Sequence, residues 1–257
     1  MNTENMRSVI DILERVSIPQ VYRISHTVPA PTLPSVENAV SEELASSGVL
    51  GMVQEGDSIA IAVGSRGIAN QDKAVRVLVS ALKTRKAKPF IVPAMGSHAA
   101  ADADHQQEML AGLGISEQTV GAPVRSSMDV VEIGTSQSGV PVYVDRHAYE
   151  AKGIVLVNRI KAHTAFVGPI QSGLLKMSVI GLGKQRGAEI CHELGFAEMS
   201  ERIVETAKVT FEKLPILFGI GLIENANHDT AEVHVIPGAE IQSREPDLLK
   251  RALTLMA

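Results

Sequence analysis

Short apolar runs rich in valine and isoleucine recur along this chain. They are SIAIAVG at 58–64, PFIVPAMG at 89–96, DVVEIG at 129–134, VPVYVD at 140–145, GIVLVNRI at 153–160, ILFGIGLIEN at 216–225 and AEVHVIPG at 231–238. Runs of this length, bounded by glycine, proline or polar residues, read as buried strands. Helical periodicity lies between many of them. NQDKAVRVLVSALKTRK (70–86) places Val75, Val77, Leu78 and Leu82 near one face, with Asn70 and Asp72 as candidate caps. FAEMSERIVETAKVTFEKL (196–214) repeats Met199, Ile203, Ala207 and Phe211 at four-residue spacing. Alternation of strand and helix predicts an α/β fold with a doubly wound, mostly parallel sheet and flanking helices. The two runs between 129 and 145 lie too close for a crossover, so a local β-hairpin is expected there.

The ends of the chain read differently. MNTENMRSVIDILERV mixes acids into an apolar stretch, as an amphipathic helix does and a secretory signal does not. HTVPAPTLPS (26–35) is a proline-rich surface crossing before the helix VENAVSEELASSG. EPDLLKRALTLMA reads as a helix that has barely begun to bury its apolar face, so the architecture is expected to continue past it.

Composition narrows the function classes. A net charge of -5 lacks the basic footprint of a nucleic-acid binder. The basic cluster KTRKAK (83–88) falls at a helix end, where cations suit the helix dipole. Apolar runs stay short of the roughly 18 residues that a membrane span needs. Cys191 is the single cysteine, which excludes an intrachain disulfide and a cysteine-built metal centre. These features predict a cytoplasmic protein.

Open α/β sheets bind ligands at the carboxyl ends of their strands. Three strand exits carry candidate chemistry: Ser65 and Arg66 after the first run, Ser97 and His98 after the second, Lys161 and His163 after the fifth. A sheet brings such exits together, so they are the residues to weigh. His26, His105, His147, His228 and His234 lack that setting and read as surface or structural residues.

The segment HTAFVGPIQSGLLKMSVIGLGKQRGAEICH (163–192) sets Lys176 among glycines 168, 173, 181 and 183, between His163 and His192. Those glycines allow backbone to approach a strand, a phosphate or a flat ring. Standard motifs fail here. SVIGLGKQ has Ser178 in place of the first P-loop glycine and Gln185 in place of the magnesium-binding hydroxyl. HELGF has Phe196 where a zinc protease helix needs its second histidine. Burial among Leu174, Leu175, Met177 and Val179 would favour the neutral, nucleophilic form of Lys176.

Taken in order, the GSH turn with His98, NRIKAHT with His163, SGLLK with Lys176 and then His192 resemble the N-terminal catalytic domain of the nickel-dependent lactate racemase family. The resemblance covers most of 55–225 within one domain of 1–257 and lacks the family's second, cleft-closing domain. It implies a racemase or epimerase of a small 2-hydroxy acid, an isomerase working by reversible hydride transfer to a nickel-pincer pyridinium mononucleotide. That cofactor would be attached covalently to Lys176, with His192 as the protein's nickel ligand and soft sulfur donors supplied by the cofactor itself. His98 and His163 would serve as acid and base for the two enantiomers. Ser65, Arg66 and Gly173 would line the cofactor, Arg66 also holding the substrate carboxylate. Cofactor-biosynthesis enzymes are the implied partners. The GPIQSG stretch is longer than the family pattern, which leaves the substrate within this class open, and an isolated half is expected to be impaired in turnover. The alternative is a non-catalytic α/β domain that binds a phosphate-bearing ligand at its strand ends.

Overall fold

The computed structural model describes residues 13–256 apart from 15, 18, 26 and 194. Most of the expected N-terminal amphipathic segment, and His26, lie outside the described residues. The chain runs α1 (Val36–Ser46), β1 (Ser58–Val63), α2 (Gln71–Thr84), β2 (Lys88–Pro93) and α3 (Ala103–Gly112). The hairpin β3 (Val130–Thr135) and β4 (Pro141–Asp145) and then β5 (Gly153–Arg159) follow. α4 (Lys184–Glu193), α5 (Met199–Lys213), β6 (Ile216–Glu224), β7 (Thr230–Pro237) and α6 (Ile241–Leu255) complete it.

The main sheet has the order β2-β1-β5-β6-β7. β2, β1, β5 and β6 are parallel, and β7 returns antiparallel to β6. β3 and β4 form a separate antiparallel pair. The fold is therefore the expected mostly parallel α/β sheet with flanking helices and a hairpin.

Side-chain alternation explains why helices cover both faces. Ile59, Ile61 and Val63 join Val75, Leu78 and Leu82 of α2 and Val40 and Leu44 of α1 in one core. Their neighbours Ala60 and Ala62 face the opposite core, with Leu174, Leu175 and Met177 and with Met199, Ile203 and Ala207 of α5. Burying both faces requires strands apolar throughout, which is how β1 and β5 read in sequence.

Two local expectations are corrected. Asn70 does not cap α2 through its side chain: it takes a left-handed backbone (φ 58) and donates to Thr230 Oγ1 at 3.0 Å. α6 begins before the EPDLL stretch, and Ile241, Leu249, Ala252 and Leu255 are already buried, so its apolar face is covered. Among the described residues no helix is long and apolar enough to cross a membrane.

Candidate active site

The chain goes from β1 outward to β2, then returns to the other flank of β1 as β5. This reversal opens a crevice at the carboxyl ends of β1 and β5, where open α/β sheets place their ligands. A cavity of about 190 Å³ lies there, and Ser65, Arg66, His98, His163, Gly173 and Lys176 all line it. Six of the seven sequence-identified site residues thus converge; His192 is not among the lining residues.

His98 leaves β2 on a strained turn. Ala99, Ala100 and Ala101, immediately after it, have φ of 53, 55 and 53 degrees. Each left-handed alanine costs about 1–2 kcal/mol, so surrounding contacts must hold this turn in place. The imidazole is fixed from two sides, with Nδ1 2.6 Å from Ser65 Oγ and Nε2 3.2 Å from the Arg66 guanidinium. Arginine only donates, so Nε2 is the acceptor and the neutral ring carries its proton on Nδ1, donated to Ser65. Burial first, then the Arg66 and Lys176 charges, hold the His98 pKa below its ordinary value.

His163 is arranged in the opposite sense. Lys161 and Ser172 exchange backbone hydrogen bonds of 2.9 and 3.2 Å, closing the loop between them. Buried Gln171 accepts from His163 N at 2.7 Å, and Phe166 stacks on the imidazole with 4.3 Å between centroids. Ala165 N donates to His163 Nδ1 at 3.1 Å, so the proton of the neutral ring sits on Nε2. Burial, followed by Lys176, Lys161, Arg66 and His192, pushes its pKa down to about 4. Two neutral imidazoles of opposite tautomer therefore border one cavity at pH 7.

Lys176 closes a three-residue helical turn, Leu174–Lys176, that runs into a π-helical turn, Met177–Gly181. Such π turns widen a helix and recur at functional sites. Asn158 at the end of β5 donates to Gly173 O at 2.9 Å, and Glu245 of α6 accepts from Leu174 N and Leu175 N at 2.8 and 3.0 Å. Burial, then the Arg66 and Lys161 charges, lowers the Lys176 ammonium to about 8, leaving a substantial neutral amine fraction near neutrality.

The glycines of this segment are filled by the protein itself. A Cβ at Gly173 would lie 2.2 Å from Glu245 Oε1, and one at Gly181 would lie 2.6 Å from the Ala94 carbonyl. Gly168 and Gly183 meet Ser200 and the Val179 carbonyl in the same way. Close approach of neighbouring protein atoms requires glycine at all four positions, and Gly173 and Gly181 also line the cavity.

Lys161, the other residue picked out at this strand exit, also lines the cavity, and sequence reasoning passed over Asn158 and Arg159 at the end of β5, where the same rule applies. Arg159 is paired with buried Glu224. Among the described residues Lys161 and Lys176 make no salt bridge, although Glu224 lies near enough to Lys161 to favour its charge, and no acidic side chain lines the cavity. Glu245 gave no signal at all, since a lone acid in a C-terminal helix is ordinarily a solvated face. His105, His147, His228 and His234 stay away from the cavity.

A metal would find no cage of three or more histidine, cysteine or carboxylate ligands among the described residues. Cys191 is buried, with its thiol pushed up to about 11, and is unsuited to ligation. His192 is better prepared. Its Nδ1 donates to Ala188 O at 2.6 Å, which leaves Nε2 as the ring nitrogen able to bind a metal when the ring is neutral. A cofactor that brings its own soft donors and asks the protein for one amine and one imidazole fits these residues.

The switch point of this open α/β sheet gathers two imidazoles, a lysine amine and further cations around one cavity, which defines the class as an α/β protein with an electropositive small-molecule pocket. Residues 12–204 match the lactate racemase N-terminal domain, and the chain belongs to that family. The fold is similar to that of the lactate racemase apoprotein from Thermoanaerobacterium thermosaccharolyticum, at 17% identity and a TM-score of 0.68. That alignment covers 86% of this chain and 56% of the other, so the chain spans little more than half of that protein. No curated protein matches it in sequence.

Proposed function

We propose that this chain is the cofactor-carrying part of a lactate-racemase-like isomerase, a racemase or epimerase of a small 2-hydroxy acid. The observation that carries the reading is the meeting of His98, His163, Arg66 and Lys176 on one cavity. Lys176 and His192 would hold a nickel-pincer nucleotide, the first by a covalent bond and the second as metal ligand, and the bound group would supply reversible hydride-transfer chemistry.

The protein's own part is binding and proton transfer. A carboxylate at Arg66 would offset the foremost charge depressing His98 and a lesser one, behind Lys176 and Lys161, depressing His163, which moves both rings up from their lowered values, though burial remains the largest cause at each. It also draws the guanidinium off His98 Nε2, freeing that lone pair to take the hydroxyl proton. His163 presents Nε2–H instead, so as a neutral ring it can hydrogen-bond a substrate oxygen, and it would give up a proton only after being protonated to the imidazolium. A reaction that runs in both directions needs one ring for each enantiomer.

The test is intact-mass and metal analysis after coexpression with cofactor-making enzymes, followed by assay on enantiopure 2-hydroxy acids. An adduct on Lys176 with one nickel is expected, lost in Lys176→Ala. His192→Ala should keep the adduct and lose the metal. An unmodified mass with tight binding of a simple nucleotide would overturn the reading in favour of a non-catalytic phosphate-binding domain, which the acid-free cavity lining also suits.

A further inference from the structure

We infer that Gln106 is a positioning residue for His98, anchored in turn by the buried ammonium of Lys184. Gln106 is fully buried on α3, with every polar group of its side chain engaged. Its Nε2 donates to Gly96 O at 2.9 Å and to His98 O at 3.2 Å, bracketing the turn that carries the imidazole. Its Oε1 accepts from Lys184 Nζ at 3.3 Å. Lys184 is also fully buried, donates to Pro93 O at 2.6 Å and forms an ion pair with Asp145 Oδ2 at 3.2 Å. The side-chain amide of Gln106 is thus engaged at both its nitrogen and its oxygen, and the ammonium that anchors it is paired with a carboxylate.

The arrangement answers a mechanical need. A turn of three left-handed alanines follows His98, and such a turn relaxes unless the backbone leading into it is held. Gln106 holds the carbonyls of Gly96 and His98, which lead into it. Lys184 fixes the far end of that clamp to the exit of β2 through Pro93 and to the hairpin through Asp145. It also begins α4, the helix on which His192 lies, so the anchor of the His98 turn and the stem of His192 are the same residue. GLGK, a failed phosphate loop by sequence, thereby gains a role.

The inference rests on the reading of His98 as a proton-transfer group, but its test needs no substrate. Long-range proton–nitrogen correlation spectra of the unloaded protein distinguish imidazole tautomers, and His98 is expected as the Nδ1–H form. Gln106→Met should convert it to a mixture dominated by the Nε2–H form of free imidazole, with a small loss in Tm. Lys184→Met should give the reverse pattern: a large fall in Tm with a smaller change at His98, because Gln106 still reaches both carbonyls. Leu249→Ala, in a separate core patch, supplies a destabilised control in which His98 keeps its tautomer. An unchanged His98 signature in Gln106→Met overturns the inference. So does a tautomer change that merely follows Tm across the variants, or failure of Gln106→Met to fold. A protein that shows the expected pattern yet racemises nothing would sink the proposed function and leave this inference standing.

Discussion

Lys176, half-buried at the cavity, and Lys184, fully buried eight residues on, have opposite surroundings. Lys184 is enclosed by a carboxylate, a carbonyl and an amide oxygen. Lys176 faces a cavity with Arg66 and Lys161 for neighbours and the Phe166 ring at 5.9 Å. Burial lowers the pKa of both, but Asp145 opposes it at Lys184 while nearby cations reinforce it at Lys176. The Lys184 nitrogen is tied into an ion pair and two hydrogen bonds, whereas the Lys176 nitrogen faces the cavity with cations for neighbours. Partners, more than burial, separate a lysine that holds a fold from one that does chemistry.

Breaking each lysine should therefore fail differently. Lys176→Ala should remove adduct formation and abolish racemisation, by about 10³-fold or more, while leaving Tm unchanged or raised. Lys184→Met should cost about 3–5 kcal/mol in denaturant unfolding, because it strands the buried Asp145 carboxylate; replacing Asp145 with leucine as well should recover much of that loss. Equal stability losses at the two sites would erase the contrast.

Glu245 sharpens the comparison from the far side of Lys176. Burial raises its carboxyl to about 7 against an ordinary 4.5, so the folded protein favours the protonated form. Its contribution is full below about pH 4.5 and is lost as pH rises through 7. Glu245→Gln should accordingly match the parent near pH 4.5 and exceed it at pH 8 by about 1–3 kcal/mol. The smallest effect is expected at Ala100, where glycine relieves the left-handed backbone and should add about 1 kcal/mol of stability.

The seven strands were legible because each is a short apolar run, and strand exits were legible because sheet topology is. His98, Arg66 and His163 could be found by that rule alone. Lys176 and His192 needed the family pattern, since a lysine among leucines has no chemical signature of its own. Gln106, Lys184 and Glu245 were hidden for another reason. Their partners are main-chain groups and residues far away in sequence, and no local periodicity marks a side chain that caps a distant turn. The glycines around Lys176 were ambiguous in sequence, since tight packing and ligand approach impose the same residue type.

Site-resolved acylation of the unloaded protein across a pH series, read by peptide mass spectrometry, tests the contrast between the two lysines most directly. Lys176 should label half-maximally near pH 8 and Lys184 should stay unlabelled while the protein is folded. Labelling of Lys176 only near the ordinary lysine value of 10.5, or labelling of Lys184 alongside it, would contradict the account.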